Sequence, residues 1–441
     1  MLLERTMGAA VERREHDPEG RLTLQRVPGV VERRYHHDGV GQLVAVDDSL
    51  RGRRDYQYDL TGRLAASSSP DRAVTYRYDP CGNLRAMNLR ELEYDRGNRL
   101  RSDGLRSWER DADGRVVRVR DERGEDHFEW NPLDQLVGIG HPGGSVTRYA
   151  YDGFGRRVSK RSGDVVTEYF WSGDDLMCER SGASVTDYLI TEGEAHAVWQ
   201  DGRCLHVVST GLDAPRPQEI LSDDGALAWH GTFDDWGRLL REHGTYASQR
   251  LRLPGQLADD ESGLSYNRHR YYDPAVGQFV SPDPLRYLAS FNTYRYAPNP
   301  ISWEDPLGLV CGKGKGKYSV YVLEDNGKPP QILYVGITEQ HPGARASQHR
   351  NGAPGTPPKT FGRMRVVANG LCYRLARNLE GSALVHAANN QLANQTPLLL
   401  NKSRPVTGGY YHAYHSPPGG NRTMINASTV NSRLARNYGT Y

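Results

Sequence analysis

The chain reads as a mainly β protein, a curled antiparallel sheet of hairpins, followed by a small α+β domain. Two observations predict this: a short aromatic-Asp-Gly motif recurs through the first 309 residues, and the charge balance reverses after Leu309. From Val310 to Tyr441 there are 16 Lys and Arg against 4 Asp and Glu, a net of +12, and the preceding 309 residues carry 40 against 50, a net of −10. The near-neutral total of +2 therefore hides a basic module behind an acidic one.

The repeat runs aromatic, any residue, Tyr, Asp, two residues, Gly, a polar residue and Leu. Its clearest copies are YQYDLTGRL (Tyr56 to Leu64), YRYDPCGNL (Tyr76 to Leu84) and YAYDGFGRRV (Tyr149 to Val158). Weaker copies begin at Tyr35, Leu92, Trp108, Phe128 and Phe233. Asp38, Asp59, Asp79, Asp95, Asp111, Asn131 and Asp152 recur every 16 to 21 residues. Each copy predicts a hairpin: aromatic alternation makes a strand, Asp and Gly make the turn, and the Leu or Val re-enters the sheet. One hairpin cannot bury its own apolar face, so many must stack or curl together.

A content of 37% apolar and 25% charged residues fits folded protein and argues against global disorder. Five scattered cysteines, Cys81, Cys178, Cys204, Cys311 and Cys372, show neither a disulfide framework nor zinc-site spacing. The first 20 residues lack a secretory h-region and no run of 18 apolar residues occurs, so the expectation is no signal peptide and no membrane-spanning segment.

The repeats resemble the Tyr-Asp (YD) repeats of Rhs proteins and of the C components of insecticidal toxin complexes. Leu253 to Leu309 resembles the Rhs-associated core domain, ending in a Pro-x4-Asp-Pro-x-Gly-Leu signature at Pro300 to Leu309. The resemblance implies a hollow β-shell closed by an aspartyl-type self-cleaving protease that cuts between Leu309 and Val310. Such chemistry needs one ionised and one protonated carboxyl at close range. Asp260 and Asp283 are the candidates, with Asp259 as substitute for the first; Asp before Pro or near Gly also simply makes turns. The expected division is residues 1–252 as the repeat region, 253–309 as the core domain and 310–441 as the cargo, with VCGKGKGK (residues 310–317) as a linker.

Beyond the linker, YSVYVLED and QILYVGIT predict two strands around a polar turn, and RLARNLEGSALVHAANNQLA predicts an amphipathic helix. Arg345 and His349 fall four apart, on one face if that segment is helical. Glu380 is the one acidic residue after Glu339, and an isolated carboxylate in so basic a domain points to a metal. This order resembles the GIY-YIG nucleases: SVY ending at Tyr321, YVG beginning at Tyr334 after 12 intervening residues, then Arg345, His349, Glu380 and Asn401. Ser319 departs from the family's first Gly.

In that reading Glu380 holds Mg²⁺, Arg345 clamps the phosphate oxygens and Tyr321 is the general base. Tyr334 positions the water, His349 assists proton transfer and Asn401 orients the site. As alternatives, the tyrosines are ordinary strand aromatics, His349 a solvated helix residue and Asn401 a turn cap. The resemblance further implies a secreted effector acting in the target cell's cytoplasm, a delivery apparatus component, a cognate immunity protein, and nucleic acid as substrate, DNA before RNA. About 300 residues of repeats is short for a closed shell, so the chain reads as the C-terminal part of a longer effector. The competing readings are a non-enzymatic repeat protein whose basic tail binds nucleic acid or a partner, and a toxin cleaving RNA.

Overall fold

The computed structural model describes residues 2–191, 194–212, 214–246, 249–286, 291–309, 312–313, 318–324, 332–338, 350 and 363–371. The chain divides into two compact units, Met1–Gly314 and Lys315–Tyr441.

The first unit is built from a ten-stranded and a sixteen-stranded antiparallel sheet in which spatial order equals sequence order. The first runs from Leu2–Met7 to Arg90–Glu91, the second from Glu93–Asp95 to Leu239–Gly244. Alternation decides which face is covered. In Arg72–Tyr78, Val74 and Tyr76 are buried while Ala73, Thr75 and Arg77 are exposed, the period of two expected of a half-buried strand. The mainly β expectation therefore holds, down to the hairpin assigned to each copy of the motif.

The Asp of each repeat builds its turn. Asp59 N–H donates to the Arg63 carbonyl at 2.9 Å, Gly62 N–H donates to the Asp59 carbonyl at 2.9 Å, and Asp59 Oδ1 accepts from the amides of Thr61 and Arg63. Gly62 has φ +79°, which its lack of a Cβ permits. The same backbone pair recurs at Asp17, Asp38, Asp79, Asp111, Asp152 and Asp234.

The Tyr before the Asp reaches back one repeat. Tyr58 O–H donates to the Leu43 carbonyl at 2.6 Å, Tyr78 to Leu64 at 2.8 Å, Tyr94 to Leu84 at 2.9 Å and Tyr151 to Leu136 at 2.6 Å. Trp130 and Trp171 do the same with their indole N–H, to the carbonyls of Val116 and Arg157. Each tie contributes about 1 kcal/mol and spaces successive hairpins. The first aromatic of the motif and its re-entering Leu form the core, exemplified by Tyr56, Tyr76, Leu64, Leu84 and Leu136, together with Leu264, Tyr266, Tyr271 and Val280 from the later segment. Residues 253–309 thus belong to the same compact unit as the repeats.

The strip of hairpins also returns on itself. Gln25 Nε2 donates to the Ser209 carbonyl, Arg51 Nη2 to Gly231 and Arg54 Nη2 to Asp235, contacts spanning 184, 180 and 181 residues. Several joints are buried ion pairs. Arg33 meets Glu219 and Asp48; Arg157 meets Asp259 at 2.6 Å with both side chains fully buried. Arg157 also lies 4.5 Å from the ring centroids of Tyr169 and Tyr266, so the faces of these rings cover a guanidinium with few other partners.

The expected linker, residues 310–317, contains both a short strand and the boundary between the units. Gly312–Lys313 pairs with Trp303–Glu304, because strand pairing uses backbone groups and needs no packing side chain. The division into units falls after Gly314. In the second unit, Tyr318–Glu324 lies between Ile332–Thr338 and Arg363–Leu371 in an antiparallel sheet. The two expected strands are present, and Arg363–Leu371 is a third that sequence reasoning missed. The expected helix around Glu380 lies outside the described residues. No helix among the described residues is long and apolar enough to cross a membrane.

Removing one partner of a buried ion pair leaves an uncompensated charge. Asp259→Ala should destabilise the first unit by about 3–5 kcal/mol. At the exposed neighbour, Asp260→Ala should change it by less than about 0.5 kcal/mol. Denaturant unfolding of the two variants measures the difference.

Candidate active site

The segment after the repeats folds as a four-stranded antiparallel sheet of Leu257–Asp259, Leu264–Asn267, Arg270–Asp273 and Gln278–Phe279. Most of its residues are buried, so each charged group must find a partner. Arg270 opens the third strand, its guanidinium 3.5 Å from the Phe279 ring centroid. Nη2 lies 3.0 Å from Asp283 Oδ2 and 3.1 Å from Asp305 Oδ2. Nη1 donates to the Thr293 carbonyl at 2.9 Å, and Nε donates to the Gly308 carbonyl. One side chain thus holds two buried carboxylates and the backbone one residue before Leu309.

The Asp305 to Leu309 segment is clamped along its length. Asn267 Nδ2 donates to the Asp305 carbonyl at 2.9 Å, His269 N–H to the Leu307 carbonyl at 3.2 Å, and Leu309 N–H to Asp305 Oδ1 at 2.9 Å. Gly308 has φ +67°, and a Cβ there would stand 2.5 Å from the Asn267 carbonyl oxygen, so the motif's glycine is required by close approach. Asp283 is fixed by its amide to the Thr293 carbonyl at 2.8 Å and by the Leu285 amide to Oδ1 at 2.8 Å.

Burial pushes the Asp283 carboxyl up to about 7, against the pull of Arg270 and with a further push from the Asp305 charge. Asp283 is thereby shifted toward its protonated form, and Asp305 presents an oxygen pair facing Arg270 and the Leu309 amide. This arrangement sets a potential acid and a potential base against the segment that ends at Leu309.

The residues expected from sequence fall as follows. Asp283 is in the constellation. Asp260 is exposed, and its charge bears on Arg252 rather than on Asp283. Asp259 ends a strand buried throughout and meets Arg157, whereas Asp260 opens the exposed turn that follows. The carboxylate that stands across Arg270 from Asp283 is Asp305, which sequence reasoning did not single out, nor did it single out Arg270. The Asp of the DPLGL motif was the available signal. Leu309 is buried, and Val310 lies outside the described residues.

In the second unit, the register sets Tyr321 opposite Gly336 and Tyr334 opposite Leu323, one diagonal step apart on adjacent strands. Arg345, His349, Glu380 and Asn401 lie outside the described residues.

Comparison with known proteins places the fold. A family model described as the teneurin YD-shell matches residues 30–302. The double-stranded DNA deaminase toxin A of Burkholderia cenocepacia is 32% identical over 369 residues, covering 72% of this chain and 26% of that protein. The probable deoxyribonuclease RhsA of Dickeya dadantii is 30% identical over 286 residues, covering 59% of this chain and 20% of that one. This chain therefore spans 20 to 26% of the length of these two relatives. A chain in the crystal structure of TcdB2-TccC3-Cdc42 superposes with a TM-score of 0.58 at 18% identity, over 70% of this chain and 19% of its own, which is a likeness of fold. With its repeats, its sheets and the match over residues 30–302 in agreement, the chain belongs to the YD-shell family.

Proposed function

We propose that this chain is the cargo-bearing end of an Rhs-type toxin, whose core segment cuts its own backbone after Leu309 and frees a basic nuclease of residues 310–441. The observation that carries the first half is the Arg270 clamp, which sets Asp283 and Asp305 beside the segment ending at Leu309. In the proposed step, ionised Asp305 takes a proton from water as the water oxygen bonds to the Leu309 carbonyl carbon, and protonated Asp283 gives its proton to the carbonyl oxygen. Collapse of the tetrahedral intermediate breaks the C–N bond, the proton on Asp305 passes to the departing Val310 nitrogen, and the intermediate's hydroxyl proton returns to Asp283. Arg270 holds both carboxyls and the Gly308 carbonyl through the sequence of steps.

For the cargo, the excess of basic residues and the paired strands bearing Tyr321 and Tyr334 support a GIY-YIG-like endonuclease. Glu380 would hold Mg²⁺, which would supply Lewis-acid charge at the phosphate. Arg345 would bind the non-bridging oxygens, Tyr321 would accept the water's proton with Tyr334 and His349 assisting, and Asn401 would orient the site. DNA is the proposed substrate: one relative is named a deoxyribonuclease and another a double-stranded DNA deaminase. Those two names describe different chemistries, so the cargo has to be argued from its own residues. Delivery into a target cell's cytoplasm by a secretion apparatus, and a neighbouring immunity protein that blocks the site, complete the proposal.

Self-cleavage should yield a 132-residue fragment whose N-terminal sequence begins at Val310. Asp283→Asn and Asp305→Asn should each leave the chain intact, while Asp260→Asn should cleave like the wild type. Electrophoresis with N-terminal sequencing checks all three, and intact Asp260→Asn with cleaved Asp305→Asn would overturn the assignment.

The raised carboxyl of Asp283 sets the pH dependence. Its folded value near 7 lies above the ordinary 3.8, so the folded chain keeps a proton that the unfolded chain loses between those values. Asp283 therefore lowers folding stability as pH rises through that window, and its acid form disappears above it. Precursor recovered unfolded from inclusion bodies and refolded should cleave about tenfold more slowly per pH unit above about 7. A rate that keeps rising through pH 8 and 9 would be incompatible with Asp283 as the acid.

Self-cleaved chain should nick supercoiled plasmid in Mg²⁺ and not in EDTA, and Glu380→Ala should lose this while retaining DNA binding. Equal activity of the variant, or degradation of total RNA alone, would remove the DNase reading.

A further inference from the structure

Strand Arg203–Ser209 carries Cys204 and His206 two residues apart, hence on one face. Its register with Pro217–Ser222 pairs Leu205 with Ser222, which sets the next residue, Asp223, across from Cys204. The three side chains converge. Cys204 Sγ lies 3.9 Å from His206 Nε2, His206 Nε2 lies 3.1 Å from Asp223 Oδ1, and all three ligand atoms are within 4.8 Å of one another. Among the described residues, this is the one set of three His, Cys or carboxylate groups so placed.

A thiolate, an imidazole and a carboxylate, one of each, form a donor set of intermediate softness that suits Zn²⁺. Around a tetrahedral zinc, with bonds of about 2.0–2.3 Å, donor atoms stand roughly 3.3–3.6 Å apart. The Cys204–His206 and His206–Asp223 separations of 3.9 and 3.1 Å bracket that range, and the Cys204–Asp223 pair, within 4.8 Å, closes on an ion by rotation of the exposed Asp223 side chain. Cys204 and His206 are partly buried on a strand within the sixteen-stranded sheet, and the Asp223 side chain is exposed, which gives an ion a route in from solvent. Three protein ligands leave the fourth tetrahedral position for water.

We propose that Cys204, His206 and Asp223 form a zinc site that clips the turn after Ser222 to the strand Arg203–Ser209. The clip bears on the return of the strip onto its beginning, because the Asp223 carbonyl accepts the Ala9 N–H at 2.8 Å and a Cβ on Gly8 would stand 2.2 Å from that oxygen. Zinc fixes Asp223 and so steadies this joint with the first hairpin. None of the three residues belongs to the constellation around Arg270.

Titration of the full chain with Co²⁺ tests the site. The wild type should develop the near-ultraviolet charge-transfer absorption of a cobalt thiolate, which stoichiometric Zn²⁺ abolishes. Cys204→Ser should lose that absorption. His206→Gln and Asp223→Asn should each weaken Zn²⁺ binding by at least about tenfold in competition with a chromophoric chelator. Zn²⁺ should also raise the melting temperature of the wild type and leave that of Cys204→Ser unmoved. Absence of the charge-transfer band in wild type that is folded by circular dichroism overturns the proposal and leaves a His206–Asp223 hydrogen bond beside a thiol. A band that persists in Cys204→Ser overturns it equally, by placing the ion on another cysteine. Asp223→Asn changes an exposed side chain, so its zinc affinity remains readable where a strand substitution impairs folding.

Discussion

A guanidinium taken out of water has to meet acceptors, and in this chain a carboxylate is repeatedly supplied to it from far along the sequence. Arg33 finds Glu219, Arg157 finds Asp259, and Arg270 finds Asp283 and Asp305. The apolar core is large but non-directional, so it would tolerate a hairpin strip returning on itself in several registers. An unpaired buried charge is not tolerated, which selects the one return that seats each arginine. The Tyr and Trp ties to the preceding repeat set the local step of the strip, and the arginines fix where its turns meet.

The local part of this organisation was legible in the sequence. Tyr, Asp and Gly at fixed spacing named the turns because each acts within a few residues: Asp59 on Thr61 and Arg63, Gly62 through its own φ. The charge reversal after Leu309 likewise needs only counting. The long-range part was not legible. Nothing near Arg33 marks Glu219 as its partner, and Cys204, His206 and Asp223 converge only through a strand register, so their spacing resembles no metal motif. Asp259 and Asp260 show the finest case. Both are Asp, they are adjacent, and the first ends a buried three-residue strand against Arg157 while the second opens the exposed turn after it. Asp305 is hidden in the sequence by its place in the DPLGL motif, where its tie to Arg270 across 35 residues leaves no local sign.

The arginine that organises the candidate protease also constrains its acid. Alone, a cation 3.0 Å from Asp283 would pull the carboxyl below its ordinary range. Burial outweighs that pull, and the negative charge of Asp305 shares the same guanidinium, so the net direction is upward to about 7. Arg270 thus positions the pair without removing the proton on which the proposed step depends. Its remaining donors go to the Thr293 and Gly308 carbonyls, which leaves the side chain little freedom to abandon either carboxylate.

This balance exists only in the folded chain. Unfolded, Asp283 ionises near the ordinary 3.8 and has no proton to give at neutral pH. Asp305 and Leu309 are joined by a flexible segment until Asn267, His269 and Arg270 clamp it, and those residues are aligned only once the strands Leu264–Asn267 and Arg270–Asp273 have paired. That sheet in turn shares its core with the repeats, through Leu264, Tyr266 and Tyr271. Acid, base and peptide are therefore brought together by burial of the final segment against the hairpins, and the proposed cut after Leu309 is conditional on a completed fold. Under the proposed scheme a chain cleaved before that point would part from residues 310–441 while still unfolded, and the dependence of the Asp283 proton on burial would prevent this by the same desolvation that makes the buried arginines selective.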